Sequence, residues 1–384
     1  MGVARLAPVH PPITGGREQR WVFFRSILAS LCAALILLPG SETIKYMPVR
    51  NSLIWVICVL LGALAGCAAR PDGTALDPVV QTAGADALRI FSATDRRQVG
   101  TSFGVDRGPI SYEALTLAPK GKTDFVALDR RRLDGRAFFR SVAAQAHNPD
   151  GLVVVFVHGY NTNYEEAVFR IAQLAKGANG MITPVLFSWP SQASVRGYVA
   201  DRDSVAYARD DLAALLVSLR RAMPGKRIGL LGHSMGGWLV MEAMRQLRLT
   251  GQDVSNIQVG LAAPDIDLDH FRVQMAQIGH LSRPPVIFVS MDDRALATSR
   301  RLAEGRQRLG AVDVEDPKIK DLIRETGVQI IDISSLDSDE PFNHNRFMLL
   351  AATLPPPARG REPTGLFRVG AYVLTVSGEI LGGL

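Results

Sequence analysis

The sequence predicts an α/β domain built on a mostly parallel central sheet with helices on both faces. Three features lead to it. Continuous apolar runs of strand length recur along the chain, Leu152-Val153-Val154-Val155-Phe156-Val157 being the clearest, and a strand buried on both faces reads that way. Between the runs lie stretches with apolar residues at helical spacing, such as residues 204–223 with Leu212, Leu215, Leu216 and Leu219 along one side. The two kinds of segment alternate, and alternation at this length implies parallel strands joined by crossover helices.

Taken in chain order, residues 110–117 alternate as a half-buried strand would. The run at 152–157 follows, then a helix over 165–176 with Val168, Ile171, Ala172 and Ala175 on its apolar face. A strand at 184–189 precedes the helix at 204–223, and a strand at 227–231 precedes a helix at 237–247. Strands at 257–262, 285–290 and 328–333 complete a domain spanning residues 88–355. In sheets of this kind ligands bind beyond the carboxyl ends of the strands.

The 384 residues, 47% hydrophobic and 21% charged, suffice for one large domain and a leader. The net charge of +6 is mostly a property of the leader: residues 1–66 hold six Lys/Arg against two acids, and the remainder holds 37 against 35. No Lys/Arg run interleaved with aromatics occurs in that remainder, so nucleic acid is not expected as a partner. Cys32, Cys58 and Cys67 all precede the domain, which therefore holds neither a disulfide nor a thiolate metal site. No metal or organic cofactor is expected.

The leader, residues 1–67, contains two apolar segments. The first, 21–38, is interrupted by Arg25 and reads as a signal anchor if translation starts at Met1. The second, 53–66, is shorter than the ~20 residues a membrane span needs and reads as the core of a secretory signal. It ends in Leu64-Ala65-Gly66-Cys67, which resembles the bacterial lipobox, where the cysteine is lipidated and becomes the mature N-terminus. Met47 and Arg50 stand just upstream, so the expected start is Met47, with a signal peptide over 47–66 and residues 1–46 an over-extended beginning. Ala68 after the cysteine suggests outer-membrane sorting, with the domain facing the periplasm. Residues 68–87 read as a flexible tether. The apolar tail, residues 356–384, reads as a membrane-surface contact, a closing element or a disordered end.

Gly232-His233-Ser234-Met235-Gly236 matches Gly-x-Ser-x-Gly between a strand and a helix. A serine there sits on a sharp strained turn that tolerates only glycine on both sides, with its hydroxyl above the sheet near the positive helix end. Ser234 is the expected nucleophile, and the amide of Met235 an expected oxyanion donor. His158-Gly159-Tyr160 ends the 152–157 strand, where such folds supply the second oxyanion donor, here the amide of Tyr160. The order nucleophile, acid, histidine leaves His344 as base, because every other histidine precedes the strand at 285–290. For the acid, Asp293 is favoured at the end of that strand; Asp292, Asp265 and Asp267 stay open. Trp189 and Tyr198 are placed to line an acyl pocket, and core packing is an equal use for Trp189.

Several blocks carry a family resemblance: FSATDRR (91–97), RGPISYEALTLA (107–118), VVFVHGYNTNYEEAVFRIAQLA (154–175), LFSWPSQASVRGYVADRDSVAYARDDL (186–212), LLGHSMGG (230–237), AAPDIDLDHF (262–271), SMDDRAL (290–296) and NHNRF (343–347). Over residues 88–354 the chain resembles bacterial α/β-hydrolases of uncharacterised substrate, grouped with the esterase/lipase superfamily. The resemblance implies the α/β-hydrolase fold and a triad of Ser234, Asp293 and His344. The family often has Asn where Asp292 stands, which leaves the choice between Asp292 and Asp293 open, and commonly Ala where this chain has Gly232, a change expected to be harmless to the turn.

The expected activity is that of a serine hydrolase cleaving a carboxylic ester through an acyl-enzyme, on a small-molecule or lipid ester, with the membrane as partner through the lipid anchor. A non-catalytic binding lipoprotein on the same fold, or an acyltransferase or peptidase using the same triad, are the alternatives, since specificity resides in pocket shape.

Overall fold

The computed structural model describes residues 70–121, 123–146, 152–336 and 342–348. The leader with Cys67, the end of the domain near residue 355 and the tail 356–384 lie outside the described residues.

A nine-stranded sheet, in the order β3-β2-β1-β5-β4-β6-β7-β8-β9, forms the centre. The strands are β1 (Leu88–Val99), β2 (Ser102–Pro119), β3 (Phe125–Leu133), β4 (Leu152–Val157), β5 (Ile182–Ser188), β6 (Ile228–His233), β7 (Ile257–Ala262), β8 (Val286–Val289) and β9 (Gln329–Asp332). β2 pairs antiparallel with both β1 and β3, and every other pairing is parallel. The helices are α1 (Gly135–Gln145), α2 (Tyr164–Gly177), α3 (Tyr198–Ala222), α4 (Met235–Leu249), α5 (Leu268–Ile278), α6 (Arg294–Leu302) and α7 (Pro317–Thr326).

Each face of the sheet has its own core. Phe138 of α1, Leu212 and Leu216 of α3, Leu239 of α4 and Phe271 of α5 pack with Val153, Val155 and Leu230 on one side. Ala167, Val168 and Ile171 of α2 pack with Phe156, Leu231 and Phe288 on the other. β4 lies between β5 and β6, so the chain leaves it first towards one edge and later towards the other. Such a reversal opens a crevice at the carboxyl ends of the strands. Residues 158–163 after β4 and Ser234 after β6 border that crevice, with Val157 paired to Gly232 across it.

β1 carries no apolar alternation beyond Ala93, yet Ser92, Thr94, Asp95 and Arg96 are all buried. Polar partners replace apolar ones. Thr94 Oγ1 donates to the Ser188 carbonyl at 2.6 Å, and Tyr164 Oη donates to Ser92 Oγ at 2.9 Å. The Arg96 guanidinium donates to Ser188 Oγ (2.9 Å) and to the carbonyls of Gly104 (3.0 Å), Ser191 (3.2 Å) and Thr162 (2.8 Å), so one cation ties β2 to the loops after β4 and β5.

Asp95 is the exception. Both of its carboxyl oxygens are buried without a hydrogen-bond partner among the described residues. Burial first, and the charge of Asp211 second, raise its pKa from 3.8 to about 7. Unfolded Asp95 ionises near pH 4 and folded Asp95 near pH 7, so the fold holds the extra proton between those values and loses stability as pH rises through the window. Asp95→Asn is therefore expected to raise Tm, with a gain of a few °C at pH 8 (about 1–2 kcal/mol) and a smaller one at pH 5. Thermal unfolding at the two pH values checks it.

Within the segment 68–87, expected as a flexible tether, residues 70–79 are docked on the domain. Asp72 caps a 3-10 turn, Gly73–Leu76, whose Leu76 is fully buried in the second core. The Val79 amide donates to the Ala127 carbonyl of β3 at 2.8 Å, and Asn163 Nδ2 donates to the Pro71 carbonyl at 2.7 Å. Small, polar composition reads as a linker, and a single buried leucine is too little periodicity to show otherwise. α3 likewise begins at Tyr198 rather than 204, because its first turn is held by a buried polar group: Asp201 accepts from Ser191 Oγ (2.6 Å) and from the Gln192 (2.6 Å) and Asn161 (3.2 Å) amides. Among the described residues no helix is long and apolar enough to cross a membrane.

Candidate active site

Ser234 stands between β6 and α4 with φ 54° and ψ −122°, a conformation that costs a non-glycine residue of order 1–3 kcal/mol. The surroundings impose it. The Ser234 amide donates to the Ala262 carbonyl at 2.9 Å, and the Ser234 carbonyl accepts from the Asp265 amide at 3.1 Å, so the turn is pinned to the end of β7 from both sides. Glycine is required around it by close approach. A Cβ on Gly159 would lie 2.9 Å from Ser234 Cβ, and one on Gly236 would lie 2.3 Å from the His158 carbonyl oxygen. A Cβ on Gly232 would lie 2.7 Å from the Gly236 carbonyl oxygen and the Gly237 Cα. Glycine at 232 thus suits the turn, whereas an alanine there would require the start of α4 to shift.

Those contacts set the loop after β4 directly against the nucleophile turn. Met235 opens α4 and Tyr160 follows Gly159, and neither amide donates to another backbone group in the loops and turns of the described residues. His158 is not available for proton transfer: its ring stacks on Trp189 at 5.0 Å, and Nδ1 lies 2.8 Å from the Gly159 carbonyl. Burial and then Arg96 hold its pKa well below the usual histidine value. Trp189 is fully buried and donates Nε1–H to the His158 carbonyl at 2.8 Å, so it packs in the core.

His344 and Asp293 meet. His344 Nδ1 lies 2.6 Å from Asp293 Oδ2, with the Asp293 side chain fully buried and His344 15% exposed. The other carboxyl oxygen, Oδ1, accepts the Leu296 amide at 2.9 Å, making Asp293 the N-cap of α6. One carboxylate is thus fixed by a helix end and aimed at the imidazole. The His344 ring also sits 4.6 Å from the ring of His233, the residue before Ser234.

The family described as alpha/beta hydrolase of unknown function (DUF900) matches residues 137–354, more than half of the chain. The chain belongs to this family. A curated relative, an uncharacterized protein of Nostoc sp., is 29% identical over 120 residues, covering 25% of this chain and 31% of that protein. The chain thus spans about a third of the length of the curated relative it matches. Among solved structures, an esterase from Rhizomucor miehei is 13% identical with a TM-score of 0.31, covering 91% of this chain and 95% of that one. Carboxyl esterase 2 from the fungus Tuber melanosporum is 12% identical with a TM-score of 0.34, covering 77% and 96%.

In this α/β hydrolase the three other carboxylates have other partners. Asp265 is ion-paired with buried Arg308 at 3.2 Å and accepts from Ser299 Oγ (2.6 Å) and Tyr198 Oη (3.0 Å). Asp267 caps α5 through the His270 amide at 3.1 Å. Both line a cavity of about 440 Å³ with Arg202, Trp238 and His270, a cavity that Ser234, Asp293 and His344 do not line. Asp292 is gripped by Arg346, whose Nη2 donates to Oδ2 at 2.8 Å and whose Nη1 donates to Oδ1. That fork, against the opposing effect of partial burial, holds the Asp292 pKa down at about 2. Among the described residues no cluster of histidines, cysteines and carboxylates could hold a metal ion.

Arg346 is a residue of the candidate site that sequence reasoning missed. It also donates to Ser290 Oγ at 2.6 Å, while Asn343 Nδ2 donates to Asp292 Oδ2 at 2.9 Å. The loop bearing His344 is therefore clamped to the end of β8 by residues on either side of the imidazole. From the other direction His233, neutral because burial, then His344 and Arg170, depress its pKa, donates Nε2–H to the His344 carbonyl at 3.2 Å. The only signal of the Arg346 clamp in the sequence is an arginine two places after the base. Arg346→Met keeps the aliphatic stem and removes the fork, so it is expected to lower kcat on a soluble ester by about 10- to 100-fold through misplacement of the imidazole, with KM little changed; steady-state kinetics beside a Tm measurement check it.

Proposed function

We propose that this chain is a serine hydrolase that cleaves a carboxylic ester through an acyl-enzyme. The observation that carries the reading is the 2.6 Å contact of His344 Nδ1 with the buried Asp293, in a protein whose Ser234 is held at φ 54° next to His233, the ring of which lies 4.6 Å from that of His344. With Nδ1–H committed to Asp293, Nε2 of His344 is left as the base. It takes the Ser234 proton as Oγ attacks the ester carbonyl, and the Met235 and Tyr160 amides receive the charge on the carbonyl oxygen. His344 then protonates the departing alkoxide, and water, activated by the same imidazole, releases the acid. Cys67, outside the described residues, is proposed as the lipid-bearing mature N-terminus, which puts the domain on the periplasmic side of the membrane, at the outer membrane.

The test is labelling by a fluorophosphonate together with turnover of p-nitrophenyl esters of graded chain length. The wild type is expected to label and turn over, and Ser234→Ala to do neither. A folded wild type that does neither would overturn the reading in favour of a binding scaffold. Mass spectrometry of the mature N-terminus tests the anchor, and an unprocessed bond between residues 66 and 67 would refute it.

A further inference from the structure

The lipid anchor proposed at Cys67 is only three residues along the chain from a residue docked on the loops that border the nucleophile crevice. Arg70, three residues after Cys67, is the first described residue, and its guanidinium is bound by the loops that border the crevice. Nη1 donates to the Ala193 carbonyl at 2.5 Å, Nη2 donates to the Asn161 carbonyl at 2.8 Å and to Asn161 Oδ1 at 2.9 Å, and Nε lies 3.2 Å from Glu166. Asn161 follows Tyr160 directly, and Asn163 holds the Pro71 carbonyl. The chain therefore enters the domain on top of the loop that carries the Tyr160 amide. Three extended residues span at most about 10 Å, and the headgroup layer of one leaflet is about 5–7 Å deep. An anchor at Cys67 thus leaves this end of the domain no room to stand away from the bilayer.

The surface at that end suits such a position. Val195 and Val199 are 75% and 72% exposed, with the exposed cation Arg196 between them. The segment that carries them, which runs into the first turn of α3, is tied to the crevice by Tyr160 Oη, which donates to the Val195 carbonyl at 2.7 Å, and to residue 70 by the Arg70–Ala193 contact. Apolar side chains for the acyl boundary and cations for phosphate headgroups are what an interfacial surface needs.

We propose that the segment 191–199 lies on the bilayer surface, so that the crevice opens towards the membrane and the substrate is an acyl ester of a membrane lipid taken in place. The proposal rests on the lipid anchor and on Ser234 as nucleophile. In the reaction the lipid acyl carbon forms a bond to Ser234 Oγ as its bond to the lipid alcohol oxygen breaks. The serine proton passes through His344 to that oxygen, and water then frees the fatty acid and restores the serine.

The experiment uses the full chain purified from bacterial membranes and reconstituted in vesicles of phosphatidylethanolamine and phosphatidylglycerol. Three forms are compared: wild type, a form with 20 Gly/Ser residues inserted between Ala69 and Arg70, and Val195→Asp/Val199→Asp. The insertion gives the tether an r.m.s. reach of about 25 Å without touching the domain. Both altered forms are expected to release fatty acid from vesicles at least tenfold more slowly than wild type, and to hydrolyse soluble p-nitrophenyl butyrate within twofold of it. Vesicle rates unchanged in both forms would overturn the proposal, as would a wild type active on the soluble ester and silent on vesicles. A mass spectrum showing Cys67 unlipidated overturns it at its first premise. Loss of the soluble activity and of fluorophosphonate labelling in wild type would instead locate the failure in the hydrolase reading and remove the substrate class. In that case Val199→Cys carrying an environment-sensitive fluorophore decides the surface: a blue shift on vesicles supports it, and none overturns it.

Discussion

Asparagine at position 293 is expected to lower kcat on a soluble ester by about 10⁴-fold, the scale seen when the orienting carboxylate of a serine triad becomes an amide, with the fold and KM nearly unchanged. Two jobs of Asp293 separate in this substitution. Oδ1 caps α6 by accepting the Leu296 amide, and asparagine caps a helix as well as aspartate does. Oδ2 faces His344 Nδ1 at 2.6 Å, and an amide NH₂ turned to that position is a donor against a donor. The imidazole relieves the conflict by moving its proton to Nε2, the atom that must be bare to receive the Ser234 proton. Asp265→Asn, Asp267→Asn and Asp292→Asn are expected to stay within about tenfold of wild type, because these carboxylates engage Arg308, the α5 amides and Arg346 rather than the base. Steady-state kinetics of the four variants, with Tm as the folding control, check the set. Full activity in Asp293→Asn beside a dead Asp292→Asn would reverse the assignment.

Alanine at position 236 is expected to lower stability by roughly 3 kcal/mol or more, as overpacking against immobile atoms does, and Tm by roughly 5–10 °C for a domain of this size. The added Cβ would lie 2.3 Å from the His158 carbonyl oxygen and 2.4 Å from that of Val157. These are backbone atoms at the end of a central strand, so no side chain can swing aside. Either α4 moves off the sheet or the loop after β4 lifts, and each motion separates Ser234 from the Tyr160 amide. Activity is expected to fall with stability. Gly121→Ala is the control: nothing lies within 4 Å of a Cβ there, and the expected change in stability is within about 0.5 kcal/mol. Thermal or urea unfolding of the two variants measures the difference.

Much of the site was legible before any coordinates. A strand, a Gly-x-Ser-x-Gly turn and a helix in immediate succession are local features, and Ser234 with its positive φ lies at that junction. Periodicity located β4 and β7 to the residue, because strands buried on both faces are unbroken apolar runs. It failed for β1, where Ser92, Thr94 and Arg96 are buried, and for residues 70–79, where a single leucine is buried. In both places polar contacts between distant segments replace apolar ones, and such contacts leave no period in the chain.

By itself, then, the sequence determined the α/β-hydrolase fold, the turn that carries Ser234, and His344 as the histidine placed after the acid-bearing strand. Only the tertiary structure decided which of four carboxylates meets that histidine, that Asp292 serves a clamp with Arg346, and that Arg70 enters on the loop beside the nucleophile. The reason is physical. Burial periods and turn chemistry are written in neighbouring residues, whereas the role of a carboxylate or a guanidinium depends on which partner the fold brings to it. For Asp293 that partner is 51 residues away, and for Arg70 it is 91.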